Sequence, residues 1–150
     1  MSYRTAFPSA ASKDYALFFA LMPPDNAGTV AVGTAVQFPQ NGPTSAGSIT
    51  RVTASTFNLA NVGNYRVTWQ VSVDEAGQLQ LALNGVGVAS TVVGRATGTT
   101  QIMGSTSITT VAPNAVLSVI NPVGNAAALT ITPIAGGTND VSATLLIEAL

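Results

Sequence analysis

The chain has 150 residues, enough for one domain with a sizeable core, and only 7% of them are charged, against roughly 25% in an ordinary soluble domain. Five basic and six acidic residues are scattered along it, so no basic patch could neutralise a row of phosphates, which argues against nucleic acid as a partner. Cysteine and histidine are absent, which removes disulfides, thiol catalysis, thiolate metal sites and the usual general base.

Short apolar segments separated by turn residues run from end to end and predict an all-β domain, because no stretch of a dozen residues keeps a helical period. Residues 1–14 are predicted to be a flexible lead-in, and residues 15–150 a single domain. About ten strands at regular spacing favour a sandwich or barrel. In chain order they are predicted at 16–22, 29–32, 35–38, 49–59, 65–73, 78–83, 90–95, 101–110, 115–121, 127–133 and 141–149.

Clusters of glycine, proline and asparagine separate these segments, as tight turns require. Residues 74–77 are predicted to form the hairpin between the strands at 65–73 and 78–83. The other predicted turns lie at 23–26, 41–43, 84–85, 112–114, 122–124 and 136–137.

The predicted strand at 65–73 alternates strictly between apolar and polar residues, which is typical of a half-buried strand. The aromatic and aliphatic residues on one side of it are predicted to face the hydrophobic core. The polar residues on the opposite side are Arg66, Thr68, Gln70 and Ser72. The residues predicted to lie in the core are Phe57, Tyr65, Val67, Trp69 and Val71.

The first and last strands are apolar on both faces, as in the runs Leu17–Phe19 and Leu145–Ile147. Such strands must be covered on both sides, whereas the outer face of a single sandwich meets water. We therefore expect a second copy of the molecule to cover them. The low charge also favours self-association, since it opposes contact between copies only weakly.

Residues that could carry chemistry each have a simpler structural interpretation. Asp74 and Glu75 are adjacent carboxylates in a predicted turn, and calcium would need a further ligand, for which only Asp140 is available. The glycines around Arg95 loosely resemble an anion-binding loop, but no lysine or helix follows. Trp69 could stack on a sugar, although its place in the alternating strand favours the core. We expect no enzyme activity, cofactor or metal.

Hydrophobic residues make up 47% of the chain and the mean hydropathy is +0.41. Each apolar run is nevertheless broken within a few residues, well short of the ~20 that span a bilayer, so membrane insertion is not expected. A signal peptide is not expected, because the sequence does not begin with a basic segment followed by an apolar run.

The segment from Phe57 to Trp69 reads FNLANVGNYRVTW. Its spacing is Phe-x5-Gly-x-Tyr-x-apolar-x-aromatic, where x is any residue. This spacing resembles the signature of the complement-q and tumour-necrosis-factor superfamily, except that Val67 stands where the signature has its second aromatic. Four segments are similar to the C-terminal domains of BclA-type collagen-like glycoproteins of the bacterial exosporium. They are FFALMPPDNAGTVAVGTAVQFPQNGP, STFNLANVGNYRVTWQVSVDEAGQLQLALNG, TVVGRATGTTQI and NPVGNAAALTITPIAGGT.

The resemblance implies a ten-stranded jelly-roll sandwich that assembles as a homotrimer. In such proteins a Gly-X-Y stalk precedes the head, and the head sets the register of the collagen triple helix; no Gly-X-Y run occurs in this chain. Under this hypothesis Arg66 faces a neighbouring copy, with Asp14 or Glu148 as candidate partners if it is buried. The trimer interface is predicted to include Phe18, Ala20, Arg66, Thr68, Gln70 and Leu146.

The function that follows is a structural, trimeric head of a spore-surface or cell-surface protein, located on the extracellular face and presenting an outward contact surface. The alternative is a recognition module, a lectin or adhesin that binds host surface proteins or glycans through loops or grooves between subunits.

Overall fold

The computed structural model describes residues 13–150, which form two antiparallel β-sheets packed face to face. The strands are β1 (Tyr15–Leu21), β2 (Gln40–Thr44), β3 (Ile49–Thr53), β4 (Thr56–Leu59), β5 (Gly63–Val73), β6 (Gly77–Leu83), β7 (Val86–Gly87), β8 (Val93–Arg95), β9 (Thr100–Thr110), β10 (Ala115–Ile120) and β11 (Val141–Ala149). A single turn of 3₁₀-helix, Ala89–Thr91, is the one helical element of the described residues.

One sheet has five strands in the order β2-β1-β11-β5-β9, and the other runs β3-β4-β10-β6-β7, with β8 also paired to β6. Strands far apart in sequence are neighbours in both sheets, as in a jelly roll. The predicted all-β jelly-roll sandwich is therefore confirmed, with eleven strands between residues 13 and 150 instead of ten.

Three predicted strands are reduced to isolated bridges. Residues 29–32, 35–38 and 127–133 form only the pairs Val30–Leu129, Ala35–Ile120 and Val73–Ile131. Conversely, the predicted turn at 41–43 lies within β2, which pairs with β1. Pro43 is tolerated there because β2 is an edge strand, so a missing backbone N–H need not break the ladder.

The predicted hairpin at 74–77 is wrong. The β5 strand ends in the five-stranded sheet and β6 begins at Gly77 in the other, so residues 74–76 carry the chain between sheets. The predicted strand at 49–59 is divided into the hairpin β3–β4 by a turn at residues 54–55. The other predicted turns, at 23–26, 84–85, 112–114, 122–124 and 136–137, all lie outside strands as expected.

The core fills the space between the sheets. Phe18 and Phe57 stack with ring centroids 4.4 Å apart, and the edge of Phe38 approaches Phe57 at 6.3 Å. The five residues predicted for the core are each at most 2% exposed: Phe57, Tyr65, Val67, Trp69 and Val71. The hydroxyl of Tyr65 donates a hydrogen bond to the carbonyl of Asn61, which satisfies its buried polar end.

Hydrogen bonds from side chains hold the segment after β10, where strand pairing is sparse. Asn121 is fully buried, and its amide donates to the carbonyls of Val30 at 3.0 Å and Ala127 at 3.1 Å. Glu75 accepts hydrogen bonds from the backbone N–H and hydroxyl of Thr130 at 2.7 and 2.6 Å. The adjacent acidic pair is thus structural, since Asp74 likewise accepts a hydrogen bond from the Thr132 hydroxyl at 2.7 Å.

The hydrogen bonds between Glu75 and Thr130 predict that the folded chain loses stability in acid. Desolvation raises the pKa of Glu75, but the hydrogen bonds from Thr130 lower it by more, so the pKa lies below its ordinary value of 4.5. A depressed folded-state pKa gives stability that is present above the unfolded-state pKa and is lost as the pH falls through the folded-state pKa. We expect Glu75→Gln to lower stability by about 1 kcal/mol at pH 7 and to lose less stability than the native chain between pH 6 and pH 3.

Urea unfolding followed by circular dichroism at several pH values measures both effects. Asp140→Asn, a matched loss of one carboxylate in the loop before β11, is the control. Equal acid dependence in native and Glu75→Gln chains would contradict the role given to Thr130.

Candidate interface

The outward surface of the five-stranded sheet is the candidate interface. Cross-strand register places Leu17, Leu146, Thr68 and Ser105 in one row. The neighbouring rows are built the same way from β1, β11, β5 and β9. We call this surface the outer face; its residues are Tyr15, Leu17, Phe19, Arg66, Thr68, Gln70, Met103, Ser105, Ser107, Thr144, Leu146 and Glu148.

The outer face has two unlike halves. The half formed by β1 and β11 carries Tyr15, Leu17, Phe19 and Leu146. Tyr15 is 40% exposed and the other three are half-buried, so part of each apolar side chain stays accessible within residues 13–150. The half formed by β5 and β9 is mainly hydroxyl and amide in character, with Arg66 and Met103 as its exceptions. Contiguous exposed apolar patches are typical of interaction sites, so the half formed by β1 and β11 is the candidate contact.

Four of the six predicted interface residues lie on the outer face: Arg66, Thr68, Gln70 and Leu146. Phe18 and Ala20 do not. They are 5% and 0% exposed and belong to the core between the sheets. Successive side chains of a strand alternate between faces, so in β1 it is Leu17 and Phe19, and not Phe18 and Ala20, that point outward. That part of the interface prediction is corrected.

Arg66 is exposed and lies directly across from Glu148 in the β5–β11 register. These two are the charged residues of the outer face; they carry opposite signs, so they do not repel each other across the strand pair. Asp14, the other candidate partner, is engaged elsewhere, because its carboxylate accepts hydrogen bonds from the backbone N–H of Ser48 at 2.9 Å and its hydroxyl at 2.6 Å. Those bonds lower the pKa of Asp14. Asp14 belonged to the predicted lead-in, of which residues 1–12 lie outside the described residues.

Sequence reasoning missed the role of Arg51. Its guanidinium donates to the carbonyls of Phe38 and Gln40 and to the side chain of Asn41, and lies 4.8 Å from the ring centroid of Phe18. Desolvation lowers its pKa. Arg51 thereby joins β2 of one sheet to β3 of the other at the open edge of the sandwich. A lone arginine in a predicted strand gives no signal of this role.

The remaining candidate sites have structural explanations. Trp69 is 1% exposed, so it lies in the core as predicted and presents no surface on which a sugar could stack. Arg95 is exposed in the three-residue strand β8. Over residues 13–150, acidic side chains do not gather in groups of three or more that could hold a metal ion. In the same part of the chain, no helix has the length and apolarity needed to cross a membrane.

Solved structures share this architecture. Murine APRIL at pH 5.0 superimposes with a TM-score of 0.61 over 93% of this chain and 100% of its own, at 11% sequence identity. The globular domain of zebrafish complement 1qA superimposes with a TM-score of 0.56 over 93% of this chain and 95% of its own, at 9% identity. The chain has the jelly-roll fold of complement-q and tumour-necrosis-factor domains.

At this level of identity the likeness is one of fold alone. Neither a protein-family model nor a curated protein matches the chain. Among residues 13–150, no other element covers the outer face of the sheet β2-β1-β11-β5-β9, which makes it the candidate contact surface.

Proposed function

We propose that this chain is a non-enzymatic, trimeric head domain of a collagen-like protein on the surface of a bacterial spore or cell. The observation that carries the proposal is the outer face, where apolar side chains of β1 and β11 meet solvent in a chain with only 7% charged residues. The fold supports it, and the four segments similar to BclA-type exosporium domains supply the spore-surface context.

The division of the outer face suits a cyclic assembly. In a ring of three copies each interface is heterologous, so two different patches of the chain meet. The apolar half of one copy can then contact a different part of the next, while the hydroxyl and amide half lies nearer the threefold axis. An interface that buries on the order of 1,000 Å² per subunit would fall in the obligate range. At ~25 cal/mol per Å² of apolar area, it would outweigh the two charges of the face.

Mass in solution tests the assembly. Light scattering or native mass spectrometry is expected to give three times the chain mass of 15.1 kDa at micromolar concentration. A monomer under these conditions contradicts the proposal.

The role as a head is tested separately by fusing the chain to the end of a Gly-Pro-Pro repeat. We expect the triple helix of the fusion to melt at a higher temperature than the repeat alone. The same fusion carrying Leu146→Asp is the control, because it keeps the domain but alters the outer face. Equal melting of the native fusion and the free repeat would contradict the role.

A further inference from the structure

The hairpin between β6 and β7 turns at an asparagine–glycine pair, Asn84–Gly85, which is exposed to solvent. The φ angles of the two residues are 51° and 80°, the left-handed values that a two-residue hairpin turn requires. The sequence contains one other asparagine–glycine pair, Asn41–Gly42, and it lies within β2. The two pairs therefore have the same covalent chemistry in different surroundings.

An asparagine followed by glycine can react with its own backbone, because glycine has no side chain to hinder the approach. The backbone nitrogen of the glycine loses its proton to solvent and attacks Cγ of the asparagine, and the side-chain nitrogen leaves as ammonia. Water then opens the cyclic succinimide at either carbonyl, which gives aspartate or isoaspartate. Asparagine and water thus become an acidic residue and ammonia, with no oxidant or cofactor.

The surroundings of Asn84 leave this reaction open. The backbone N–H of Gly85 makes no hydrogen bond within residues 13–150, so its proton is free to leave. Asn84 is held by one residue only, Val116, through neutral hydrogen bonds. Oδ1 of Asn84 accepts from the backbone N–H of Val116 at 2.9 Å, and the backbone N–H of Asn84 donates to the carbonyl of Val116 at 2.8 Å.

The strand that follows the turn is short and easily displaced. β7 is the edge strand of its sheet and consists of Val86 and Gly87, which pair only with β6. Val86 is 71% exposed, so it contributes little burial. Segments with few buried contacts open locally at a low free energy, and opening lets Asn84 rotate out of the turn so that Cγ can meet the Gly85 nitrogen.

Asn41 is held more firmly. Its Oδ1 accepts two hydrogen bonds from the guanidinium of Arg51, at 2.6 Å from Nη2 and at 3.3 Å from Nε. Hydrogen bonds from a charged donor are about twice as strong as neutral ones. Gly42 packs closely on Leu17, since a Cβ built on Gly42 would lie 2.9 Å from Cδ2 of that side chain. Rotation of Asn41 toward the Gly42 nitrogen therefore breaks stronger contacts than the same rotation of Asn84.

We propose that Asn84 is a site of spontaneous deamidation in the folded chain, and that Arg51 protects Asn41 from the same reaction. The product adds one negative charge to a chain whose formal net charge is −1. The isoaspartate form also lengthens the main chain by one carbon atom, so the turn no longer fits a two-residue hairpin. The turn lies in the sheet opposite the outer face, so the reaction does not depend on the proposed function.

Incubation of the full chain at mildly alkaline pH, with and without unfolding concentrations of urea, tests the proposal. Peptide mass spectrometry measures conversion at each asparagine, and labelling by isoaspartyl methyltransferase detects the isoaspartate. In urea the two pairs should react at similar rates, because the fold no longer distinguishes them. In the folded chain Asn84 should react at least about tenfold faster than Asn41, which corresponds to about 1.4 kcal/mol in the barrier.

Arg51→Lys keeps the positive charge but removes the two hydrogen bonds to Asn41. Where circular dichroism shows this variant folded, it should speed the reaction at Asn41 and leave the reaction at Asn84 unchanged. An unchanged rate at Asn41 would overturn the protective role of Arg51. An Asn84 that stays intact in the folded native chain, or that reacts no faster than Asn41, would overturn the proposed site.

Discussion

Gly104→Ala is expected to destabilise the chain by about 3 kcal/mol, the upper end for overpacking a core. Gly104 lies across from Trp69 in the β5–β9 register, and the indole covers it. A Cβ built on Gly104 would lie 2.2 Å from Cζ2 and 2.5 Å from Cη2 of Trp69, far inside van der Waals contact. Because Trp69 is 1% exposed, its ring has no free space to move into.

Chemical unfolding followed by circular dichroism measures the loss, and Gly28→Ala is the control because a Cβ added at Gly28 would meet no atom within 4 Å. Trp69→Phe removes the indole atoms that clash, as well as a buried Nε1 that has no hydrogen-bond partner within residues 13–150. In a double-mutant cycle, Gly104→Ala should therefore cost at least about 1 kcal/mol less in the Trp69→Phe background than in the native chain. If Gly104→Ala costs no more stability than Gly28→Ala, β5 and β9 can move apart enough to admit the added Cβ, and the predicted clash is contradicted.

The strand containing Trp69 was predictable in both extent and orientation. Its apolar and polar residues alternate without a break, so only one register buries Tyr65, Val67 and Val71 together. The importance of Gly104 was not predictable, because a glycine in a strand signals close approach without naming the group that approaches. The partner comes from a strand more than thirty residues away, and that pairing is a property of the fold.

The segments outside the regular strand ladders, residues 74–76 and 127–133, were the least predictable parts of the fold. Residues 127–133 are as rich in apolar residues as a strand, yet isolated bridges and hydrogen bonds with the side chains of Asn121 and Glu75 hold them where a ladder was expected. The turn residues at 74–77 correctly indicated a change of direction. They could not tell a hairpin from a passage between sheets, since both require the same local backbone freedom.

The interface prediction failed at one point for a related reason. In β1 and β11 both faces are apolar, so the sequence does not tell which side chains enter the core. An error of one residue moves every side chain to the opposite face. In the structure Phe18 packs on Phe57, and the side chain of its neighbour Phe19 lies on the outer face of the five-stranded sheet.

This adjacent pair separates folding from assembly. Phe18→Asp places a carboxylate at a site that is 5% exposed and removes the contact with Phe57. Loss of a buried phenyl ring alone costs about 3–5 kcal/mol, and the buried charge adds to it, so we expect this variant to be unfolded. Phe19→Asp changes a half-buried residue of the outer face. It should remain folded, with about 1–2 kcal/mol less stability, and should dissociate to monomers.

Circular dichroism reports the fold and light scattering the mass of both variants at the same concentration. Leu146→Asp, one strand away on the same face, should repeat the behaviour of Phe19→Asp. If Phe19→Asp and Leu146→Asp keep the mass of the native assembly, the apolar half of the outer face is not the contact between copies. If Phe19→Asp instead unfolds while Phe18→Asp does not, the orientation of β1 is reversed. The expected results would show that folding requires the inward face of β1 and assembly its outward face. The adjacent substitutions Phe18→Asp and Phe19→Asp would then distinguish the two processes.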